Sequence, residues 1–112
     1  MNKKDQQLIR YINKHYSELK EELKNINNDF SLYENNLIIQ KAIKMDLFQI
    51  GELFGKLSNE IKDHINPKDV KGIIDIRNYI AHGYIALNDT IIWNTIFNDL
   101  PTLISVLNSC NS

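Results

Sequence analysis

Residues 66–84 read NPKDVKGIIDIRNYIAHGY, and this stretch has the features of one complete helix. Asn66 followed by Pro67 predicts the start, because Asn caps helix N-termini and Pro fits the first helical position. Gly83 directly after His82 is placed to end the helix. Between these limits apolar residues recur at helical spacing: Val70, Ile73, Ile74, Ile80 and Ala81.

The rest of the chain also predicts helices. Gly (4) and Pro (2) are scarce, and the chain contains no Asn-Gly or Asp-Gly hairpin signal. Helical periodicity predicts a first helix from about Lys4 to Ile26. Ser31 and Glu34 have the spacing of a capping box, which predicts a second helix of roughly 30 residues, about 45 Å long.

Asn88 predicts the start of a final helix that Pro101 should kink or split near Phe97. We therefore expect an all-α fold, an antiparallel bundle of four to five helices in a single domain spanning residues 1–112.

Composition excludes several function classes. The net charge of −1 gives no general attraction for nucleic acid, which argues against a protein that coats DNA or RNA. We expect no membrane span, since no run of 18 apolar residues occurs, and no secretory signal, since the N-terminus is polar. Cys110 is the single cysteine and has no intrachain partner, so we expect a cytoplasmic protein.

Four residues that can carry chemistry fall within residues 77–84: Arg77, Asn78, His82 and Tyr84. Arginine binds phosphate oxygens with a planar fork of donors, and histidine transfers protons near neutral pH. Together they form a minimal set for cutting a phosphodiester without a metal ion.

Arg77 and Tyr84 interrupt the apolar stripe of their helix. A charge on such a stripe is costly unless it is paired, so the pattern predicts a carboxylate partner, a dimer interface or a site. Glu52 on the long helix is the first candidate partner of Arg77, and Asp46 is the second.

His82 does not share a face with Arg77. At about 100° per residue the two are rotated by roughly 140°. Either the end of the helix re-aims His82, or a two-fold axis brings residues of two chains into one cleft. The simpler alternatives also stand: a salt-bridged Arg and a His that caps a helix.

The remaining candidate ligands give no metal prediction. His15, His64 and Cys110 have no metal-ligand spacing among them, and we expect neither a metal ion nor a cofactor.

The octapeptide 77–84 resembles the Arg-x4-His-x-Tyr signature of HepT toxins, a branch of the HEPN superfamily. Residues 50–52 (Ile-Gly-Glu), 92–93 (Ile-Trp) and 99–101 (Asp-Leu-Pro) resemble further segments of that family. Residues 67–68 depart from it, with Pro-Lys where many relatives have Pro-Trp.

The resemblance implies a helical homodimer that acts as a metal-independent endoribonuclease toxin. It implies that Arg77 binds the scissile phosphate, that His82 is the general acid or base, and that Asn78 orients one of them. It also implies that a minimal nucleotidyltransferase (MNT) antitoxin transfers AMP onto Tyr84. The alternative is a non-catalytic subunit that binds nucleotide or substrate for such a nucleotidyltransferase.

Overall fold

The computed structural model describes residues 1–82 and 88–110, and the regular structure in those ranges is helical. Seven α-helices occur in them: α1 (Lys3–Asn25), α2 (Phe30–Glu34), α3 (Leu37–Gly55), α4 (Asn59–Lys62), α5 (Pro67–Ala81), α6 (Asp89–Asn94) and α7 (Leu100–Cys110). A π-helical segment, Thr95–Asp99, joins α6 to α7. The predicted all-α bundle is confirmed, with α1, α3, α5 and the α6–α7 run as its main members. No helix in the described ranges is long and apolar enough to cross a membrane.

Short polar side chains start most of these helices. Each accepts a hydrogen bond from a backbone N–H of the first turn, which no residue within the helix can satisfy. The capping residues are Asn2 for α1, Asp29 for α2, Asn36 for α3, Asn66 for α5 and Asn88 for α6. The predicted starts at Asn66 and Asn88 are therefore confirmed.

The predicted long helix from Ser31 is wrong. Asp29, and not Ser31, is the cap, since its carboxylate accepts from the Ser31 backbone N–H at 2.8 Å. The helix that it begins ends at Glu34, and Asn36 then caps α3. Helix α3 has 19 residues, so it is about 28 Å long instead of 45 Å.

A contact from α1 occurs just beyond the end of α3. The Asp5 carboxylate accepts from the Ser58 backbone N–H at 3.0 Å and from its hydroxyl at 2.6 Å. Burial raises the pKa of Asp5, but the hydrogen bonds from Ser58, together with Lys4 and Asn2, outweigh it and hold the pKa below its ordinary value. The contact binds the chain that follows α3 to the start of α1. Because His15, further along α1, contacts Asp46 earlier in α3, the two helices are antiparallel.

The core lies chiefly between α1 and α3. Fully buried apolar residues on these helices are Ile9, Ile12, Leu19, Ile43, Leu47, Ile50 and Phe54. Helix α5 adds Ile73 and Ile76, while Val70 and Ile80 of its predicted stripe are only partly buried. Because the buried face of α5 is turned towards Ile76, the neighbouring Arg77 lies at the edge of the core.

Pro101 has the expected effect on the last helix. Proline has no N–H to donate to the carbonyl four residues earlier, which is that of Phe97. Phe97 lies inside the π-helical segment, where the helix changes its hydrogen-bond spacing. Trp93, two residues before this segment, packs against the core. The centroid of its ring lies 4.8 Å from that of Phe97 and 5.3 Å from that of Phe30.

Candidate active site on helix α5

Arg77 extends from α5 to α3, where it pairs with Glu52. Its Nε donates to Glu52 Oε1, and its Nη2 forms an ion pair with the same oxygen. The contact expected between these two residues is therefore present. Asp46, the second candidate, does not bind Arg77; it contacts His15 at 3.2 Å instead. The Arg77 and Glu52 side chains are 33% and 32% exposed, so the pair remains accessible to a ligand.

The close approach of α3 and α5 depends on Gly51. A Cβ atom at this position would lie 2.6 Å from Arg77 Cβ, which is far inside van der Waals contact. One helical turn earlier, the Phe48 ring lies 5.4 Å from Arg77 Cζ, in the range of a cation–π contact. Phe48 was not among the predicted site residues, although its i, i+4 spacing from Glu52 could have indicated a shared face.

Asn78 binds the same guanidinium. Its Oδ1 accepts from Arg77 Nη1 at 3.0 Å. A guanidinium carries five N–H donors, so the bonds to Glu52 and Asn78 engage only part of the fork. The geometry leaves Arg77 held on two sides and able to bind an anion with its remaining donors.

A cavity of about 350 Å³ opens beside this group. Arg77, Asn78 and Glu52 line it together with Lys56 and Ile74. Glu52 offsets the charge of Arg77, and Lys56 adds a second cation to the wall. The cavity can therefore bind an anionic group against an otherwise mixed surface.

His82 ends α5 as its C-cap and is exposed. Its backbone N–H donates to the Asn78 carbonyl at 3.0 Å, so the helix continues without a break from Arg77 to His82. The helical rotation of about 140° between the two residues is therefore kept. A composite cleft formed across a two-fold axis stays a prediction. Gly83 and Tyr84 lie outside the described residues.

With this geometry in view, comparison with known proteins identifies the class. Residues 12–110 match the ribonuclease HepT-like family, and the chain belongs to that family. Two relatives carry ribonuclease names. "Putative RNase MJ1380" of Methanocaldococcus jannaschii is 25% identical over 75 residues, which cover 67% of this chain and 69% of the relative. "Putative RNase TTE0752" of Caldanaerobacter subterraneus subsp. tengcongensis is 28% identical over 74 residues, which cover 66% of each chain. No solved structure matches the chain significantly.

Proposed function

We propose that this protein is a metal-independent endoribonuclease toxin of a HepT/MNT toxin–antitoxin system. The observation that carries the proposal is Arg77, held by Glu52 and Asn78 at the wall of an open cavity in a member of a ribonuclease family. An arginine fixed in this way can bind a phosphodiester and stabilise the charge that develops on it.

The proposed reaction is an internal transesterification of RNA. The ribose 2′-oxygen attacks phosphorus, the bond to the 5′-oxygen breaks, and the products are a 2′,3′-cyclic phosphate and a 5′-hydroxyl. Arg77 binds the non-bridging oxygens, and Asn78 orients the guanidinium. His82 transfers a proton, as base from the 2′-hydroxyl or as acid to the leaving oxygen.

We propose that the active form is a homodimer. Several apolar side chains of α3 are exposed in the single chain: Leu37 (68%), Ile38 (80%) and Met45 (57%). Ile38, Met45 and Glu52 follow one another at seven-residue spacing, so a second copy that covers the first two would lie on the face of α3 that carries Glu52. Arg77 and His82 of one chain lie on different faces of α5. In a dimer each cleft could use Arg77 of one chain and His82 of the other.

The direct test is cleavage of an RNA oligonucleotide by the purified protein in the presence of EDTA, with mass spectrometry of the ends. We expect cyclic phosphate ends from the wild type. Arg77→Ala should lower the rate about 10²–10³-fold, as for loss of a charge-stabilising donor. His82→Ala should lower it about 10²–10⁴-fold, as for loss of an acid–base group.

Two exposed residues serve as matched controls, Arg10→Ala for the arginine and His64→Ala for the histidine. Both controls should cleave at the wild-type rate. If the wild type cuts no RNA but binds nucleotide through Arg77, the alternative of a non-catalytic binding subunit for a nucleotidyltransferase replaces the proposal.

The proposed regulation is AMP transfer from ATP to the Tyr84 hydroxyl by an MNT antitoxin, with release of pyrophosphate. A phosphodiester anion and a nucleotide near Arg77 would compete with RNA for the guanidinium. Intact mass and peptide mapping after co-expression with a neighbouring nucleotidyltransferase gene test this step. We expect one or more AMP units on Tyr84 and none on Tyr84→Phe. Unmodified Tyr84 in a co-expression that prevents growth arrest would refute this mode of control, whatever the ribonuclease result.

A further inference from the structure

Three polar side chains away from the Arg77 cavity converge between α1 and α3. His15 Nδ1 lies 3.2 Å from Asp46 Oδ1 and 3.6 Å from Glu18 Oε2. One ligand atom from each residue lies within 4.8 Å of the other two. His15 and Glu18 are three residues apart on α1, so they share a face, and Asp46 meets them from α3.

The environment of Asp46 is unusual for a carboxylate. Its side chain is only 6% exposed, and while Oδ1 contacts His15, Oδ2 is buried and meets no donor among the described residues other than the Glu22 carboxyl. Glu22, one turn after Glu18, has a buried oxygen in the same condition. Buried carboxylate oxygens without donors are costly, so this position requires a proton or a cation.

The Glu22 carboxyl lies against Asp46, so a third carboxylate borders the cluster. The chemistry of the donors is also informative. One imidazole nitrogen with carboxylate oxygens suits first-row divalent metal ions such as Zn²⁺ and Mn²⁺. Glu18 is 49% exposed and leaves the cluster open to solvent on one side.

We propose that His15, Glu18 and Asp46 bind one divalent first-row transition-metal ion, which joins α1 to α3. None of these residues lines the Arg77 cavity, so the ion is structural and has no part in the proposed RNA cleavage. The sequence offered no signal for it, because the ligands come from two helices 31 residues apart at His15 and Asp46. Only the antiparallel packing of α1 on α3 brings them together.

The test titrates Zn²⁺, and separately Mn²⁺, into the EDTA-treated full chain in competition with a chromophoric chelator. All proteins carry Cys110→Ser and His64→Gln, because Cys110 and His64 line another cavity together and could bind zinc by themselves. We expect one ion per chain and a higher melting temperature with the ion. Glu18→Gln should weaken binding at least about tenfold and remove the thermal shift.

Glu21→Gln is the matched control, since Glu21 is an exposed glutamate on the same helix outside the cluster. It should bind the ion as the wild type does. Glu18 is half exposed, so its substitution should leave the fold intact, which circular dichroism of the metal-free variant verifies. Binding no tighter than millimolar, or equal affinity in Glu18→Gln, would overturn the metal site. A proton shared by Glu22 and Asp46 would then explain the buried oxygens.

Discussion

At the scale of single residues, Gly51 is the position on which the site depends most directly. Its missing side chain lets Arg77 lie against α3, and Glu52, the next residue, then binds the guanidinium. The Ile-Gly-Glu segment at residues 50–52 thus has a physical reason: Ile50 is buried in the core, Gly51 allows the approach and Glu52 supplies the charge. Gly51 and Gly55 lie four residues apart on α3, but only at Gly51 would a Cβ atom meet α5.

Gly51→Ala and Gly55→Ala therefore form a matched pair. Alanine at position 51 would clash with Arg77 and should cost about 1–3 kcal/mol of unfolding free energy, as overpacking usually does. A Cβ at position 55 meets nothing within 4 Å, so Gly55→Ala should be neutral or stabilise by up to about 1 kcal/mol. Urea unfolding of both variants measures the difference. Equal stabilities would contradict the close packing of α3 on α5 at Gly51.

The Arg77–Glu52 pair tests a purely structural role for the arginine. Both side chains are about one third exposed, so solvent screens the pair, and a double-mutant cycle should give a coupling of about 1 kcal/mol or less. Arg77→Ala should therefore lower the rate of RNA cleavage about 10²–10³-fold while lowering stability only slightly. The cycle uses Arg77→Ala, Glu52→Ala and the double variant. A large loss of stability with unchanged cleavage would assign the pair to the fold alone.

At the scale of elements, the bundle depends on polar side-chain contacts as well as on the core. Asp5 on α1 binds Ser58 after α3, and Asn13 on α1 binds Asn108 on α7 at 2.8 Å. Because Asp5 is 1% exposed, its carboxylate must keep the hydrogen bonds from Ser58 to remain charged in the folded chain.

The lowered pKa of Asp5 gives stability a pH dependence. In the folded chain Asp5 binds its proton more weakly than in the unfolded chain, where the pKa of its carboxyl is near 3.8. The stabilisation is therefore present above that value and is lost as pH falls through the folded-state pKa. Urea unfolding from pH 7 to pH 3 should show a steeper loss for the wild type than for Asp5→Asn.

The exposed Asp63 supplies the control for this experiment. Asp63→Asn should follow the wild-type pH profile in parallel. Asp5→Asn should also be less stable at neutral pH, by about 1 kcal/mol, because hydrogen bonds to a charged acceptor are the stronger ones. Identical pH slopes in the wild type and Asp5→Asn would mean that the contact with Ser58 does not hold the carboxylate charged.

At the scale of the whole molecule, the central question is whether one chain makes a complete site. Arg77 lines the cavity, whereas His82 ends the same helix on a different face. The proposed dimer answers this by pairing Arg77 of one copy with His82 of the other, and that arrangement can be tested by mixing inactive variants.

Arg77→Ala and His82→Ala chains should each be inactive alone. Mixed, unfolded and refolded together, they form heterodimers in which one cleft carries both native residues. If half of the dimers are mixed and each has one intact cleft, cleavage should return to about a quarter of the wild-type rate. If light scattering and mass spectrometry show heterodimers but cleavage does not recover, a cleft that needs only Arg77 of one chain and His82 of the other is excluded. Monomeric wild type would exclude the dimer itself.

Sequence by itself determined the helical class and the starts of α5 and α6, and it indicated Arg77, Asn78, His82 and Tyr84 as candidate site residues. These follow from local chemistry, namely apolar periodicity, Asn caps, Pro67 and residue types at short spacing. It misjudged α3, because a capping-box spacing at Ser31 does not reveal that Asp29 and Asn36 take the caps. It ranked Glu52 ahead of Asp46 as the partner of Arg77, but it could not settle the pairing.

Only the tertiary structure decided that choice, and it also placed Asp46 with His15 and Glu18. The reason is physical: which carboxylate meets which cation depends on the packing of α1 and α5 on α3. That packing is determined by many apolar contacts together and by a single missing Cβ at Gly51. Local spacing carries no information about either.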